Sequence, residues 1–271
     1  MDLSIIIVNY NSKSKLINCL ESIFNSGLEG IKYEVAVVDN NSQDDLSDLN
    51  LKFSEVQIIS STNNLGMGGG NNLGIRNTSS EFILILNPDT LIKNGAIPLM
   101  LDYLKKNPKV GMIGPKLLYP DGSLQYSCSR FPHFFTPILR RTFLGEYFKE
   151  SRDRFTMNDF DHNSIREVDW LMGSCMMFRR KMILGDGQIF EPLFDERYFM
   201  YFEDIDLSRQ IWSKGFSIIY NPEAAVIHDH ARESARYPWY LAILLDGLAR
   251  RHIASWLNYF LKWGIRKEKN N

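Results

Sequence analysis

The sequence predicts an α/β protein whose central sheet is mostly parallel and is flanked by helices. In the first ninety residues, short apolar segments of strand length alternate with segments whose apolar residues recur at helical spacing. Strands that alternate with helices favour a parallel sheet, because each right-handed helical crossover returns the chain to the same sheet. With 271 residues, the chain can bury a full core as one large domain or two small ones.

The first half contains four strand patterns and two helix patterns. Each strand pattern is a short apolar run that ends in polar residues. The first helix has Leu16, Leu20 and Ile23 at helical spacing, and Gly27 suits its end. The predicted strands are residues 3–8, 33–38, 56–60 and 82–86, and the predicted helices are residues 13–25 and 66–77.

The second half is less regular. Residues 131–155 mix aromatic and basic side chains, which indicates an irregular excursion. Apolar residues at helical spacing predict a helix over 203–214 that stops at Gly215, followed by a strand over 216–220. A long amphipathic helix is expected over 238–263.

Composition argues against several classes of protein. The net charge is −1, which gives no sign of nucleic-acid binding. Three widely spaced cysteines, Cys19, Cys128 and Cys175, favour a reducing compartment over a disulfide framework or a cysteine-rich zinc site. The N-terminus does not resemble a signal peptide, and no segment approaches 18 uninterrupted apolar residues. We therefore expect a cytoplasmic location, with peripheral contact with the inner face of the membrane left open.

Polar clusters follow three of the four predicted strands. They read NYNS after the first strand, DNNS after the second and NPDT after the fourth, and a glycine-rich segment follows the third. A single cluster of this kind is an ordinary turn. Because ligands of parallel sheets bind beyond the carboxyl ends of the strands, three clusters and a helix start on one rim predict a ligand pocket.

Two groups of acids are candidates for the chemistry. Asp89 follows the fourth strand, where one carboxylate can hold a hard divalent cation together with water and substrate phosphate, or can simply cap a turn. Glu203, Asp204 and Asp206 lie at a predicted helix start after an aromatic run. Acids are favoured at helix starts in any case, but partial desolvation also raises a carboxyl pKa toward that of a general base. Glu203 and Asp204 point in different directions on a helix, so only one is expected to face the substrate.

Two further segments could bind a ligand. Gly66 to Asn72 offers backbone N–H groups at a helix start, which suits phosphate, although Asn71 replaces the third glycine of a dinucleotide-binding motif. His228 and His230 follow a strand pattern, and a neutral imidazole there can act as a metal ligand beside Asp89. The alternatives are a glycine-rich turn and a surface pair of histidines.

The motifs occur in the order IIIVNYN, VVDNNS, a glycine- and asparagine-rich loop, ILNPDT, GSCMMFRR, YFMYFEDIDL and VIHDH. In this order they resemble the family-2 glycosyltransferases of the GT-A fold, and most of all their bacterial rhamnosyltransferase branch. The resemblance covers about residues 3–235. It implies a GT-A domain over residues 1–235 and a C-terminal amphipathic helical extension over residues 236–271.

The resemblance also implies a reaction. The expected enzyme is inverting and moves a sugar from a nucleotide diphosphate to a hydroxyl group. The donor implied is a dTDP- or UDP-sugar, with dTDP-rhamnose as one candidate, and the cofactor is Mg²⁺ or Mn²⁺. The acceptor implied is a growing cell-surface polysaccharide or a lipid-linked saccharide.

The site residues of the family carry over by position. Asp204 matches the general base of the Glu-Asp pair that it forms with Glu203, and Asp89 matches the last acid of the Asp-x-Asp metal motif. Tyr10 is expected against the pyrimidine, and Asp39 at the N–H group of the base or at the ribose. The remaining expected contacts are the nucleotide-binding residues Asn9, Gly66 and Asn72, the metal ligand His228, and a sugar pocket of Asn87, Trp170 and Gly173.

One position departs from the family pattern. Asn87 stands where the metal motif has its first Asp. An amide brings one negative charge fewer to the cation than a carboxylate does. We therefore expect weak metal affinity in the absence of nucleotide.

The C-terminal segment fits two locations. Residues 238–269 carry six Lys or Arg against two acids, with aromatic residues interleaved. A helix of this composition can lie in a membrane interface with its rings at the level of the headgroups. It can equally pack on the catalytic domain or on a second subunit.

Two other functions fit parts of the pattern. A sugar-phosphate nucleotidyltransferase shares this type of sheet, but it would carry a glycine-rich loop with Arg and Lys directly after the first strand, and NYNSKSK has no glycine. A nucleotide-sugar-binding protein that has lost catalysis would not need both Asp89 and the Glu203–Asp204 pair.

Overall fold

The computed structural model describes residues 1–136, 147–158, 160–181, 192–229 and 246–264. The first half follows the predicted alternation of strands and helices, and all six predicted elements are confirmed with ends within one residue. A short helix, α2, was not predicted. The elements are β1 (Leu3–Asn9), α1 (Lys13–Phe24), β2 (Tyr33–Asp39), α2 (Leu49–Lys52), β3 (Val56–Ser60), α3 (Gly66–Arg76) and β4 (Phe82–Leu86).

The second half contains more strands than the sequence predicted. Its described elements are β5 (Thr90–Ile92), α4 (Ala96–Lys106), β6 (Val110–Leu118), β7 (Leu124–Gln125), β8 (Cys128–Ser129), α5 (Lys149–Thr156), β9 (Arg166–Glu167), β10 (Trp170–Leu171), β11 (Cys175–Arg179), α6 (Glu203–Ser213), β12 (Ser217–His228) and α7 (Gly247–Trp263).

Two predictions for this half need correction. The strand predicted over 216–220 extends to His228, because an irregularity between Asn221 and Ala225 absorbs Pro222 without ending the pairing with β6. The excursion predicted over 131–155 ends in a helix, α5. Residues 137–146 of that excursion lie outside the described part of the chain.

The sheet is mixed and mostly parallel, in the order β3-β2-β1-β4-β11-β6-β12-β5. Neighbours from β3 to β4 pair in parallel, whereas β11 runs antiparallel to both β4 and β6. The carboxyl ends of β1, β2 and β4 therefore share one rim with the amino end of β11. Cys175, the first residue of β11, pairs with Leu86, the last residue of β4.

Hydrophobic clusters cover both faces of the sheet. Buried side chains of α1 and α4 pack on one face, and those of α3 and α6 pack on the other. A third cluster is largely aromatic and joins α6 to α7. Its buried members are Phe155, Trp170, Tyr198, Phe202, Ile205, Tyr259 and Phe260.

The described part of the C-terminal segment is a helix that packs on the rest of the chain. Helix α7 begins at an N-cap, Asp246, whose side chain accepts a hydrogen bond from Leu248 N at 2.8 Å. Its buried side chains, Tyr259 and Phe260, belong to the third cluster. The predicted helical residues 238–245 lie outside the described residues. None of the described helices has the length and apolarity needed to cross a membrane.

Helix α3 approaches the sheet so closely that its glycines have no room for a side chain. A Cβ atom on Gly74 would lie 2.5 Å from Ile6 Cγ2 and 3.2 Å from Val38 Cγ2. We predict that Gly74→Ala lowers the free energy of unfolding by about 1–3 kcal/mol, because overpacking shifts β-strand side chains that have no space to move. Urea unfolding followed by circular dichroism measures this change.

Gly247→Ala is the matched control. A Cβ atom there would meet only Arg250 Nη2, at 3.8 Å, which is an ordinary contact. The control variant is expected to unfold at the urea concentration of the wild type or slightly above it. Equal losses of stability in the two variants would contradict the close approach of α3.

Candidate active site

The predicted rim exists, and β1 and β2 end on it in register. Asn9, the last residue of β1, pairs with Asp39, the last residue of β2. The next residue, Tyr10, has a ring that is 49% exposed and is open to a flat ligand. The Asp39 carboxylate accepts a hydrogen bond from Ser42 N at 3.0 Å, and one of its oxygens remains for a ligand group.

Asn40 is a rim residue whose importance the sequence did not reveal. Its buried amide donates to Asn64 Oδ1 and Gly66 O, both at 3.1 Å, and accepts from Leu65 N at 2.9 Å. These bonds tie the end of β2 to the start of α3. The only signal was the Asn-Asn pair in DNNS, which also fits a simple turn.

The glycine-rich segment has a different role from the one predicted. Gly66 N donates to Asn64 Oδ1 at 2.9 Å, and Met67 N donates to Phe199 O at 2.9 Å, so the first N–H groups of α3 are used within the protein. Gly66 has φ +73, and a Cβ there would lie 2.1 Å from Phe199 O. The glycines therefore allow the chain before α6 to pack directly on α3. Two of the N–H groups predicted to bind phosphate are used within the protein, and phosphate binding by the rest of 66–72 stays a prediction.

Asn72 also differs from its predicted nucleotide contact. Its side chain is fully buried and donates to Phe194 O at 2.8 Å and to Glu196 Oε1 at 3.1 Å. Its amide oxygen accepts from Phe194 N at 2.9 Å. Because both polar atoms are bonded inside the protein, Asn72 anchors the segment before α6 and has nothing left to offer a nucleotide.

Asp89 and His228 are brought together, as the sequence predicted for a metal pair. Antiparallel pairing of β12 with β5 places His228 opposite Thr90, and His228 Nε2 lies 3.3 Å from Asp89 Oδ1. Burial alone would raise the pKa of Asp89, but the contact with His228 and the positive charge of Lys15 outweigh it and hold that pKa below its usual value. His230 lies outside the described residues.

Gln125 orients this imidazole and was not predicted from the sequence. Its buried side chain lies on β7, and Oε1 is 2.8 Å from His228 Nδ1. With Oε1 as the acceptor, Nδ1 carries the proton, and Nε2 faces Asp89 with a proton or a cation able to lie between them. No sequence pattern marks Gln125, because a lone glutamine in a two-residue strand has no periodicity.

The Asp89–His228 pair fits a divalent cation as two of its ligands. Adjacent ligands of an octahedral ion that are about 2.1 Å from the metal lie about 3 Å apart, close to the observed 3.3 Å. No group of three or more His, Cys, Asp or Glu side chains that could hold a metal ion occurs in the described ranges. A cation at this pair would therefore need its remaining ligands from water and from a bound phosphate.

Glu203 and Asp204 begin α6 directly after an unusual turn. Tyr201 and Phe202 both have φ +69, a left-handed conformation that costs roughly 1–3 kcal/mol for each non-glycine residue. Asp204 Oδ2 accepts from Gly173 N at 3.0 Å, and Oδ1 accepts from Ile205 N at 2.8 Å. The turn thus points a hydrogen-bonded carboxylate at the start of β11.

Both carboxyls of this pair are poised for proton transfer. Both side chains are half-buried, and the protein around them excludes water from their carboxyl groups, which disfavours the charged form. Burial raises the pKa of Asp204 to about 6, against the opposing hydrogen bonds from Gly173 and Ile205. Burial and the neighbouring Asp204 charge raise the pKa of Glu203 to about 8. Burial and the closeness of the two carboxyls therefore make the pair harder to ionise than exposed acids.

The Asp204 carboxylate and the segment that carries Asp89 both border the seam between β4 and β11. Asn87 N donates to Ser174 O at 2.9 Å, and the preceding residue, Gly173, holds Asp204. Asp89 is two residues from Asn87 on the other strand. The Asp204 side chain is therefore connected to the segment that carries Asp89 through three residues of the seam, Gly173, Ser174 and Asn87.

Several buried oxygens without a hydrogen-bond partner belong to residues at the ends of β1 and β4 and at the starts of β11 and α6. Within the described residues these include the amide oxygens of Asn9 and Asn87, Ser174 Oγ and Glu203 Oε2. Buried polar atoms of this kind normally have partners, so their grouping is typical of a ligand site. Acceptor atoms in this number suit a hydroxyl-rich ligand or a cation.

Trp170 is part of the core rather than of this pocket. Its ring is 9% exposed and belongs to the third cluster, with Phe155 6.3 Å away between ring centroids. Its indole N–H donates to Arg130 O at 2.9 Å. The structure therefore corrects the prediction that Trp170 lines the sugar pocket, whereas Asn87 and Gly173 do lie at the seam.

Comparison with known proteins identifies the family. The model of the family described as "Glycosyl transferase family 2" matches residues 4–184. The N-acetylglucosaminyl-diphospho-decaprenol L-rhamnosyltransferase of Mycobacterium tuberculosis is 30% identical, over 86% of this chain and 79% of its own length. Rhamnosyltransferase WbbL of Escherichia coli is 25% identical, over 94% and 96% of the two chains.

Solved structures match the fold across almost the whole chain. The Pyrobaculum calidifontis mannosyltransferase PcManGT, in complex with GDP-Man and Mn²⁺, has a TM-score of 0.63 at 19% identity and covers 99% of this chain and 65% of its own. GalNAc-T7 with UDP, GalNAc and Mn²⁺ has a TM-score of 0.66 at 15% identity. This chain is matched over 96% of its length and spans about half of GalNAc-T7, 47%.

The chain belongs to glycosyl transferase family 2. It is a glycosyltransferase, and the GT-A fold predicted from the resemblance is confirmed.

The desolvated Glu203 generates a prediction about stability. Its pKa is raised in the folded state, so its contribution to stability is present at pH 4 and is lost as the pH rises through about 8. We predict that Glu203→Gln removes this loss and is more stable than the wild type at pH 9 by roughly 1–3 kcal/mol, a figure reduced for partial exposure.

Urea unfolding of both proteins at pH 6 and pH 9 measures the effect. Glu29→Gln is the control, because Glu29 is exposed and distant in sequence from the site. The control is expected to keep the pH dependence of the wild type. The same pH dependence in Glu203→Gln would mean that Glu203 is not desolvated in the folded protein.

Proposed function

We propose that this glycosyltransferase moves a sugar from a nucleoside diphosphate to an acceptor hydroxyl by a single displacement with inversion. The observation that supports this reaction most strongly is that Asp204 and Asp89 approach one seam from two sides and have different hydrogen-bond and ion-pair partners. An inverting displacement needs a proton acceptor on one face of the sugar and charge neutralisation at the leaving group on the other.

Asp204 is the proposed general base. Its raised pKa keeps it ionised at neutral pH yet basic enough to accept a proton from a hydroxyl as that hydroxyl attacks. The N–H groups of Gly173 and Ile205 fix its orientation. Burial and the neighbouring Asp204 charge raise the pKa of Glu203, which favours its protonated form, and a protonated Glu203 can donate a hydrogen bond to a sugar or acceptor oxygen.

Asp89 and His228 are the proposed ligands of Mg²⁺ or Mn²⁺. When bound, the metal supplies positive charge to the diphosphate as it leaves. The fit of the pair to adjacent ligand positions supports this role, and two structures of similar fold, PcManGT and GalNAc-T7, contain Mn²⁺. Asn87 contributes no charge, so metal and nucleotide are expected to bind together.

The nucleotide is proposed to lie beyond β1 and β2. The exposed ring of Tyr10 can stack on the base, and the Asp39 carboxylate can accept a hydrogen bond from the base or the ribose. Asn9, at the end of β1, has an unpartnered amide oxygen on the same rim. The names of the relatives favour a rhamnosyl donor, and a dTDP- or UDP-sugar is therefore proposed.

The acceptor is proposed to be a lipid-linked or polymeric saccharide. One relative is named for a decaprenol-diphosphate acceptor, which would be reached at a membrane. The outward side of α7 carries four exposed residues, Leu257, Leu261, Arg250 and Arg251. Phe135, which is 61% exposed, lies nearby, because its ring contacts Phe134 and Phe134 contacts Trp256 of α7. Apolar side chains beside arginines suit peripheral binding to an anionic lipid surface.

Asp204→Asn is predicted to lower the rate of sugar transfer by about 10²–10⁴-fold, because the amide cannot accept the proton of the attacking hydroxyl. The affinity for nucleoside diphosphate in the presence of Mn²⁺ is expected to stay within about twofold, since removing a base leaves the binding contacts intact. Release of dTDP from dTDP-rhamnose and isothermal titration with dTDP measure the two quantities.

The control for this variant is Asp102→Asn, because Asp102 is an exposed acid on α4. Its transfer rate is expected to equal that of the wild type. Loss of dTDP binding together with transfer in Asp204→Asn would contradict its role as the base. Formation of dTTP and rhamnose 1-phosphate from dTDP-rhamnose when pyrophosphate is added would indicate a nucleotidyltransferase.

Membrane contact is tested by flotation with vesicles of phosphatidylcholine and phosphatidylglycerol. We predict that the wild type floats and that the double variant Leu257→Glu, Leu261→Glu does not, because two exposed leucines that would enter the lipid surface are replaced by charges that anionic lipid repels. Point variants are preferable to removal of 236–271, since truncation would expose the third cluster.

Leu51→Glu is the control for flotation. Leu51 is 90% exposed on α2, which is outside the proposed lipid-binding side. The control is expected to float as the wild type does. Flotation of the double variant would show that α7 does not make the membrane contact.

A further inference from the structure

The turn that presents the two acids is held in an unfavourable conformation. Tyr201 and Phe202 are the only adjacent non-glycine residues with positive φ in the described ranges. Bulky aromatic residues adopt this conformation only where surrounding contacts fix it. Those contacts come largely from α7, as the next observations show.

Helix α7 contacts the turn through three side chains on one side of the helix. Ser255 Oγ donates to Met200 O at 3.0 Å, directly before the turn. The His252 ring lies 4.8 Å from the Tyr201 ring and 5.5 Å from the Phe202 ring, measured between centroids. The Tyr259 ring lies 5.4 Å from that of Phe202.

A second set of contacts fixes the first turn of α6. Asp206 is completely buried, and its carboxylate accepts from Lys262 Nζ at 2.7 Å and from Trp263 Nε1 at 2.6 Å. Lys262 also donates to Asp195 Oδ2 at 2.9 Å. Tyr198 and Gln210 also donate to this carboxylate, but Lys262 is its ion-pair partner, so loss of Lys262 would leave a buried charge uncompensated.

The two contact sets lie on either side of Glu203 and Asp204. One set of α7 side chains contacts residues 200–202, and the other set contacts Asp206. The acids therefore lie on a backbone segment that α7 holds at both ends. The position of Asp204 relative to Gly173 depends on this segment, because their hydrogen bond joins α6 to the β4–β11 seam.

We propose that α7 positions the general base by holding residues 200–206, with Ser255, Lys262 and Trp263 as its positioning residues. These contacts between α7 and residues 200–206 are called the clamp. The proposal rests on the assignment of Asp204 as the base of the proposed function. It gives the C-terminal helix a role in the catalytic rate that is separate from any contact of its outward side with lipid. A shift of the base by about 1 Å is enough to lower a rate by about 100-fold.

The experiment compares Lys262→Met, the milder Trp263→Phe, and Ala254→Gln as the control. Ala254 is exposed on α7 and adjoins Ser255, so its variant keeps the helix and leaves the clamp intact. Turnover is measured as dTDP released from dTDP-rhamnose with a water-soluble N-acetylglucosaminyl diphospholipid analogue. Rates are divided by the concentration of dTDP-binding sites, which excludes unfolded protein.

The proposal predicts that kcat falls by about 10- to 100-fold in Lys262→Met and less in Trp263→Phe, with the Kd for dTDP within about twofold of the wild type. Hydrogen exchange provides a readout that does not depend on turnover. The amide of Asp206, which donates to Phe202 O at 2.8 Å, is expected to exchange faster in Lys262→Met, and amides of α1 are not. Lys262→Arg is expected to restore kcat in part, because it retains the positive charge.

Three results would overturn the proposal. An unchanged kcat in Lys262→Met with faster exchange would show that α7 supports α6 without positioning the base. Unchanged exchange at Asp206 would show that α7 does not hold this segment. A decrease of kcat in Ala254→Gln as large as in Lys262→Met would show a general effect of altering the helix. Absence of turnover in the wild type would instead overturn the proposed function, while the exchange data would still report on the clamp.

Discussion

The antiparallel pairing of β11 with β4 brings the separate parts of the active site together. Asp89 and Asp204 are 115 positions apart in the sequence numbering. Pairing of Cys175 with Leu86 places the residue before β11 against the residue after β4. The Asn87–Ser174 and Gly173–Asp204 hydrogen bonds then complete the connection. A register shift of this pair would separate the acids while leaving the parallel half of the sheet intact.

The same seam sets the electrostatics of the site. Five apolar residues of β4 end directly at Asn87, so the polar groups at the rim lie against a dry core. Desolvation raises the pKa of Asp204 and Glu203, whereas the contact with His228 lowers that of Asp89. Along one rim, the pKa values of neighbouring carboxyls are thus shifted in opposite directions. Groups fixed in advance in this way can stabilise developing charge with little reorganisation.

The glycines of α3 and the helix α7 support this arrangement from opposite sides. Gly66 and Gly68 allow the segment 194–203 to pack on α3, with a Cβ on Gly68 only 3.1 Å from Phe194 Cβ. Helix α7 covers the other side of that segment through the third cluster. The acids are therefore carried by a chain segment enclosed between two helices, and its left-handed turn can persist despite its cost.

Elements of the fold could be predicted where their signal is local in the sequence, and could not be predicted where it depends on contacts between residues far apart in the chain. Four strands of the first half could be predicted because each is an apolar run bounded by polar residues, and α1 could be predicted because its apolar residues recur at helical spacing. β6 and β11 were missed, because their short apolar runs carry no period that separates a strand from other buried structure. Asp89, His228 and Asp204 were found as candidates because polar residues at strand and helix ends are visible in sequence.

Long-range hydrogen bonds account for the predictions that needed correction. Asn72 lies next to a glycine-rich helix start, and nothing local shows that Phe194 and Glu196 occupy its amide. Nothing local shows that Met67 N donates a hydrogen bond to Phe199 O, or that the indole of Trp170 donates to Arg130 O inside the core. Gln125 gave no signal at all, since its effect on His228 crosses 103 residues.

The most direct measurement is a crystal structure of the chain with Mn²⁺ and an uncleavable phosphonate analogue of dTDP-rhamnose. The account predicts the metal on Asp89 and His228, and the face of the sugar opposite the diphosphate turned toward Asp204 with room for one hydroxyl between them. A sugar whose anomeric carbon lies in a different cleft from Asp204, or a metal held without Asp89, would contradict it.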